Sequence, residues 1–282
     1  MTAIRPEGRS FLKMHGLGND FVVLDARVRA LTLVAEQVEA IADRRTGVGC
    51  DQLIVVRQPA GRPADAGMEI WNADGSQVAA CGNATRCVAW LLMQESGRDQ
   101  LVIETAAGLV DARTAGDGLI SVDMGRASAD WRDIPLAKAV DTNHLPLALG
   151  TLADPVGVSI GNPHAVFFVG NAESVDLALL GPPLERHPLF PERCNIEVAE
   201  ILSAGRIRMR VWERGVGITR ACGTGACATL VAAVRRGLTG RRAEVMLDGG
   251  ALTIEWLKND HVLMTGPVAL TYSGTLDSSL LP

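Results

Sequence analysis

Two cysteines of this 282-residue chain stand in nearly the same phrase, Cys81 in ACGNATRC and Cys222 in ACGTGAC, about half a chain length apart. Each is followed by glycine and a small polar residue, Gly82-Asn83 and Gly223-Thr224, and then by a run that reads as helix. A thiol placed there sits at the positive end of a helix dipole, where unpaired backbone N–H groups can lower its pKa and hold a carboxylate. A single cysteine in such a place is most often a small apolar residue packed under a turn. Two with the same local grammar point to paired thiols. One as thiolate would abstract a proton α to a carboxylate while the other as thiol returns one to the opposite face. The N–H groups of the two helix starts would stabilise the enediolate charge.

The other four cysteines, Cys50, Cys87, Cys194 and Cys227, read as structural. Cys81 to Cys87 is C-x5-C and Cys222 to Cys227 is C-x4-C, neither of which matches a zinc pattern, so no metal is expected. Only Lys13, Lys138 and Lys258 are available for a Schiff base, none in a recognisable cofactor setting. GLGND and GTGA are too short for a dinucleotide fingerprint. The expectation is a reaction without cofactor.

The elements that must position the thiols are also repeated. Trp71 in MEIWNADG and Trp212 in RMRVWERG each precede a motif cysteine by the same distance. LGNDFVVLD parallels IGNPHAVFF, with Asn19 against Asn162, and VIETAAGLV parallels VMLDGGALT, with Gly108 against Gly250. Four matched blocks at a near-constant spacing predict two copies of one domain, too long a period for a solenoid. The segments after Cys81 and Cys222 are apolar on most sides and belong in an interior. The fold class expected is α+β: two pseudo-symmetric domains, each a curved mixed sheet around a central buried helix. The boundaries expected are 1–128, completed by the C-terminal strand 269–282, and 129–268, with the active site in the cleft between the two.

Composition excludes several classes. At 48% hydrophobic and 21% charged residues the chain is ordinary for a globular protein, and a net charge of −5 gives no footprint for nucleic acid. The first sixteen residues lack an apolar leader core, and no apolar run reaches membrane-spanning length, so a cytoplasmic protein is expected.

Together the stretches KMHGLGNDFVVLD, GVGCDQL, WNADGSQVAACGNATRC, GNPHAVFFV, CNIEVAEI, VWERGVGITRACGTGACA and MTGP resemble the diaminopimelate epimerases over nearly the whole chain. The resemblance implies cofactor-independent interconversion of LL- and meso-diaminopimelate, a diamino dicarboxylate, in lysine and peptidoglycan precursor biosynthesis. It implies that Cys81 and Cys222 are the acid/base pair, that His164 and Glu213 assist, and that Gly82, Asn83, Gly223 and Thr224 hold the reacting carboxylate. It further implies that Asn19, Gln52, Asn72, Asn162, Asn195, Glu213 and Arg214 line the substrate pocket, and that the enzyme is a homodimer. Arg214 suits a bidentate grip on the distal carboxylate. Two alternatives stand beside this reading. One is another two-cysteine racemase of the same superfamily, although proline racemases usually carry histidine where this chain has Asn83 and lack VWERG. The other is a thiol redox protein, against which stands the lack of a C-x-x-C motif.

Overall fold

The computed structural model describes residues 8–281. The first seven residues, part of the stretch read as lacking a leader, and Pro282 at the end of the expected completing strand lie outside the described residues.

In chain order the first elements are β1 (Arg9–Gly16), β2 (Asn19–Asp25), α1 (Ala35–Ala42), β3 (Gln52–Arg57), β4 (Ala66–Asn72), β5 (Gln77–Val78), α2 (Gly82–Ser96), β6 (Gln100–Thr105), β7 (Gly108–Thr114) and β8 (Ile120–Arg126). A two-stranded excursion follows, β9 (Ala148–Leu149) and β10 (Leu152–Ala153). Then come β11 (Val156–Ser159), β12 (Pro163–Phe168), α3 (Leu177–Glu185), β13 (Asn195–Ser203), β14 (Arg206–Glu213), β15 (Gly217–Ile218), α4 (Gly223–Arg235), β16 (Arg242–Leu247), β17 (Gly250–Trp256), β18 (His261–Gly266) and β19 (Ala269–Leu276). Two compact units result, one of residues 8–122 with 267–281 and one of residues 123–266.

The two units repeat one pairing scheme. In the first, β1 and β2 are antiparallel, β2 and β3 parallel, β3 and β4 antiparallel, β4 and β6 parallel, and β6 and β7 antiparallel. In the second, β11 and β12, β12 and β13, β13 and β14, β14 and β16, and β16 and β17 follow the same sequence of senses. The chain is therefore an α+β duplication whose internal sequence repeats are repeats of structure. β19 closes the first unit by pairing antiparallel with β1.

Each sheet wraps the helix that follows a motif cysteine. Helix α2 packs on β1, β6 and β7, and α4 on β11, β12, β16 and β17. Strands such as β6, β14 and β16 alternate buried and open positions, as a sheet with one covered face must. Both helices are wrapped nearly all round: Ala84, Cys87, Val88 and Ala89 of α2 are fully buried, as are Ala226, Cys227, Ala228 and Leu230 of α4. Small residues on these helices let the curved sheet close on the backbone, which an exposed amphipathic helix would not require. Helix α2 stops at Gly97, whose φ of 68° gives the left-handed cap that a side chain resists.

Candidate functional site

In each unit the motif cysteine is the residue immediately before the central helix. Cys81 (φ −149°, ψ 110°) and Cys222 (φ −120°, ψ 108°) both hold extended backbone at the cap position, with Gly82 and Gly223 opening α2 and α4. No side-chain oxygen caps either helix. No serine or aspartate cap competes for the first-turn N–H groups, although the Cys222 sulfur itself takes the Gly225 N–H, and such helix starts suit a carboxylate. All six cysteines are thiols.

The half-site of the first unit is built from amides. Asn19 opens β2 after Gly18, whose φ of 87° turns the chain from β1, and Gly161 (φ 79°) makes the same turn before Asn162. Asn19 Oδ1 accepts from the Asn83 amide at 3.3 Å and lies 3.8 Å from Cys81 Sγ. Its other end is fixed, because Asn19 Nδ2 donates to Asp51 Oδ2 at 3.2 Å. Asp51 also meets Arg44 at 2.7 Å, and Arg44 and Lys13 both pair with Asp20. Burial works to raise the Asp20 carboxyl, but hydrogen bonds from Arg44 and Lys13 hold it well below the usual range. Gln52 and Asn72 face each other across β3 and β4, with Gln52 Nε2 donating to Asn72 Oδ1 at 3.1 Å. The carbonyl oxygens of Gln52 and Asn83 are buried without a partner, two acceptors waiting for donors.

The half-site of the second unit has the same frame and different chemistry. Asn162, Asn195, Glu213 and Thr224 occupy the frame positions of Asn19, Gln52, Asn72 and Asn83. His164, fully buried, stands where the first unit has Phe21, and Glu197, fully buried, where it has Ile54. His164 Nδ1 lies 2.7 Å from Glu197 Oε1, and Nε2 lies 2.9 Å from Asn162 Oδ1. Asn162 Nδ2 donates to Thr224 Oγ1 at 3.3 Å, and that hydroxyl is 3.7 Å from Cys222 Sγ. The Glu213 carboxylate accepts from the Thr219 hydroxyl and from the Cys222 thiol.

This environment corrects the expectation that the helix dipole lowers the Cys222 thiol. Burial pushes that thiol well above the ordinary range, and the Glu213 and Glu197 carboxylates push it further. The Gly225 N–H and the Thr224 hydroxyl oppose the rise and are outweighed. Glu213 and Glu197 are raised from the usual glutamate value as well, mainly by burial, with Thr219 and Cys222 opposing at Glu213 and His164 opposing at Glu197. Cys222 is consequently held as the thiol, hydrogen-bonded to the Glu213 carboxylate. Cys50 and Cys87 are pushed to about 11 and about 12 by burial, as inert core thiols should be.

Two residues named from sequence are held differently from the rest. Asn195 uses both ends of its amide on backbone, donating to the Pro163 carbonyl at 3.0 Å and accepting the Arg214 N–H at 2.9 Å. It shapes the turn that carries Glu213 and Arg214. Arg214 is exposed, and its guanidinium donates to the Glu192 carbonyl at 3.1 Å. Sequence reasoning missed Glu185, Glu197 and Asp51. Glu185 on α3 accepts from the Trp212 indole at 2.7 Å and the Gly215 N–H at 3.1 Å, bracketing Glu213. The available signal was a charged residue inside an apolar strand run, as in CNIEVAEI. Among the described residues, no group of three or more His, Cys, Asp or Glu side chains could hold a metal ion, and no helix is long and apolar enough to cross a membrane.

The sequence profile described as diaminopimelate epimerase matches residues 11–129 and 156–271. The chain is 61% identical over 274 residues to the diaminopimelate epimerase of Rhodospirillum centenum, covering 97% of this chain and 94% of that one. It is 56% identical to the diaminopimelate epimerase of Phenylobacterium zucineum, covering 95% and 98%. Among solved structures, a Bacillus anthracis phenazine biosynthesis protein of the PhzF family superposes with a TM-score of 0.68 at 16% identity, covering 96% of this chain and 99% of that one. At that identity the likeness is one of fold.

Proposed function

This chain belongs to the diaminopimelate epimerase family, and from that premise we propose that it interconverts LL- and meso-diaminopimelate by a two-thiol proton exchange. One thiolate takes the α-proton, the C–H electron pair passes into the carboxylate as an enediolate, and the second thiol delivers its proton to the opposite face. Nothing is oxidised or reduced, and the reaction needs no external electron acceptor. The supporting observation is the pair of equivalent helix starts, each led by a cysteine and uncapped by any side-chain oxygen. First-turn N–H groups there suit the substrate carboxylate and the charge that grows on it.

The division of labour follows from the two environments. Cys222 carries its proton and has Glu213 as acceptor, so it is the donor in one direction, and in the other it first passes that proton to Glu213 and then acts as the base. Cys81 lies among the neutral amides of Asn19 and Asn83. Gln52 and Asn72, with the exposed Arg214, supply donors and acceptors for the rest of the substrate. The reading requires both thiols to reach opposite faces of one α-carbon. Replacing Cys81 by alanine tests it, because epimerisation should be lost while the second unit's thiol remains. The family resemblance supports a homodimer in the cytoplasm, which light scattering and cell fractionation would test.

A further inference from the structure

The two copies of the fold differ most where a buried pair, His164 and Glu197, replaces the Phe21 and Ile54 of the first unit. Glu197 lies two residues beyond Asn195, the register partner of His164 on the neighbouring parallel strand, so the two side chains are diagonal neighbours on one face. A buried carboxylate in a core position is costly unless something uses it. Its Oε1 meets His164 Nδ1, and its Oε2 is buried without a partner. It also sits under the first turn of α4, where a Cβ on Gly225 would meet Oε1 at 2.9 Å.

From Glu197 a chain of contacts runs to the sulfur: His164 at 2.7 Å, Asn162 at 2.9 Å, Thr224 at 3.3 Å and Cys222 Sγ at 3.7 Å. Its direction can be read link by link. Asn162 gives N–H to the Thr224 oxygen and therefore turns its carbonyl oxygen to His164 Nε2, which must carry hydrogen. One further proton then lies between Nδ1 and the Glu197 carboxylate, on either atom, because two lone pairs cannot face each other at that distance. With its oxygen occupied by Asn162, the Thr224 hydroxyl is free to give its hydrogen to Cys222. Were the pair to lose its proton with hydrogen left on Nδ1, Nε2 would become an acceptor. The Asn162 amide would turn over, and Thr224 would donate to Asn162 instead.

We propose that Glu197 is a positioning residue: by sharing a proton with His164 Nδ1 it keeps hydrogen on Nε2 and fixes the direction of this chain, so that the Thr224 hydroxyl donates to the Cys222 sulfur and steadies the thiolate formed in each turnover. The inference rests on the epimerase reading for its use, and on the geometry alone for its existence. The groups facing Glu197 are His164 on β12, Cys194 ahead of β13, Glu213 on β14 and Cys222 ahead of α4. His164 is the only group of these four that becomes cationic, and the three others make loss of a proton from the pair unfavourable when they are ionised.

The first test is nitrogen-15 NMR of histidine-labelled, ligand-free protein near neutral pH, which needs neither turnover nor a variant. His164 Nε2 should show the shift and one-bond coupling of a protonated nitrogen. An unprotonated Nε2 overturns the proposal. The second test is a double-mutant cycle on kcat with Glu197→Ile, the residue type the first unit has at this position, and Thr224→Val. Each change should lower kcat by at least about tenfold, with KM moving less, as part of what a positioned acid/base system supplies. The pair together should cost no more than the larger single loss, and Thr224→Ser should restore the rate. Multiplying losses, or a Glu197→Ile enzyme with native kcat, would remove Glu197 from the chain. Native protein showing no α-proton exchange would instead defeat the epimerase reading and leave the NMR result standing.

Discussion

Glu213→Gln separates a carboxylate that works from one that merely fits. The glutamine amide oxygen can still accept from the Thr219 hydroxyl, so the strand end at Glu213 keeps its main hydrogen bond. What disappears is the acceptor for the Cys222 proton and one of the two charges that raise that thiol. The thiol should therefore become more acidic while turnover falls, opposite signs that a simple reactivity effect cannot give. A positioned acid/base group contributes roughly 10²–10⁴ in rate, about 3–5 kcal/mol of barrier, and kcat should drop within that range. Stability should move the other way. Glu213 binds its proton more tightly folded than unfolded, so native protein loses stability as pH rises from the usual glutamate range through the raised folded value. Glutamine lacks that loss, and the variant should melt at or above the native temperature at pH 8, with a smaller advantage at pH 5. The assay is α-deuterium incorporation into diaminopimelate, beside melting curves at the two pH values. A Glu213→Gln enzyme within threefold of native kcat, or one destabilised more at pH 8 than at pH 5, would refute the reasoning.

Arg214→Lys should raise KM for diaminopimelate at least about tenfold with a smaller change in kcat, since an ammonium cannot give a planar two-point grip on a carboxylate; unchanged steady-state kinetics would return Arg214 to its Glu192 carbonyl contact alone. Cys222→Ser should retain its melting behaviour and lose nearly all turnover, because a hydroxyl is a far weaker acid than a thiol; turnover near the native rate would exclude Cys222 as a proton donor. Gly181→Ala should destabilise the second unit by about 1–3 kcal/mol, because the added Cβ would lie 2.5 Å from the Trp212 ring. Denaturant titration measures it, and because Trp212 precedes Glu213 the rate should fall as well.

The duplication was legible because it was written twice. Cys81 and Cys222, Asn19 and Asn162, and Gly108 and Gly250 each occupy one backbone position in two copies of one pairing scheme, and a small-residue helix start looks alike in both. The raised Cys222 thiol was not legible, because the helix dipole is read from the local sequence while the burial and the opposing carboxylates on β13 and β14 act on the thiol only through the fold. Glu197 was hidden for a related reason. Within CNIEVAEI it resembles the outward charge of an alternating strand, yet the first five residues of β13 are buried on both faces. Asn195, expected from the resemblance to line the substrate pocket, also holds two backbone groups that its place in the sequence did not announce. Sequence shows which residue types stand at a turn; the strand register decides whether they face a ligand or the chain itself.

The central claim is that two thiols exchange protons at one α-carbon, and the most direct measurement is incubation with LL-diaminopimelate in D2O, following deuterium and configuration together. Product formed early, before any back reaction, should be meso and carry deuterium at the inverted carbon, while recovered LL substrate stays nearly undeuterated, because the base that removes a proton on one face is not the acid that delivers on the other. Deuterium appearing in recovered LL substrate as fast as in the meso product would mean one base serving both faces, and would contradict the account.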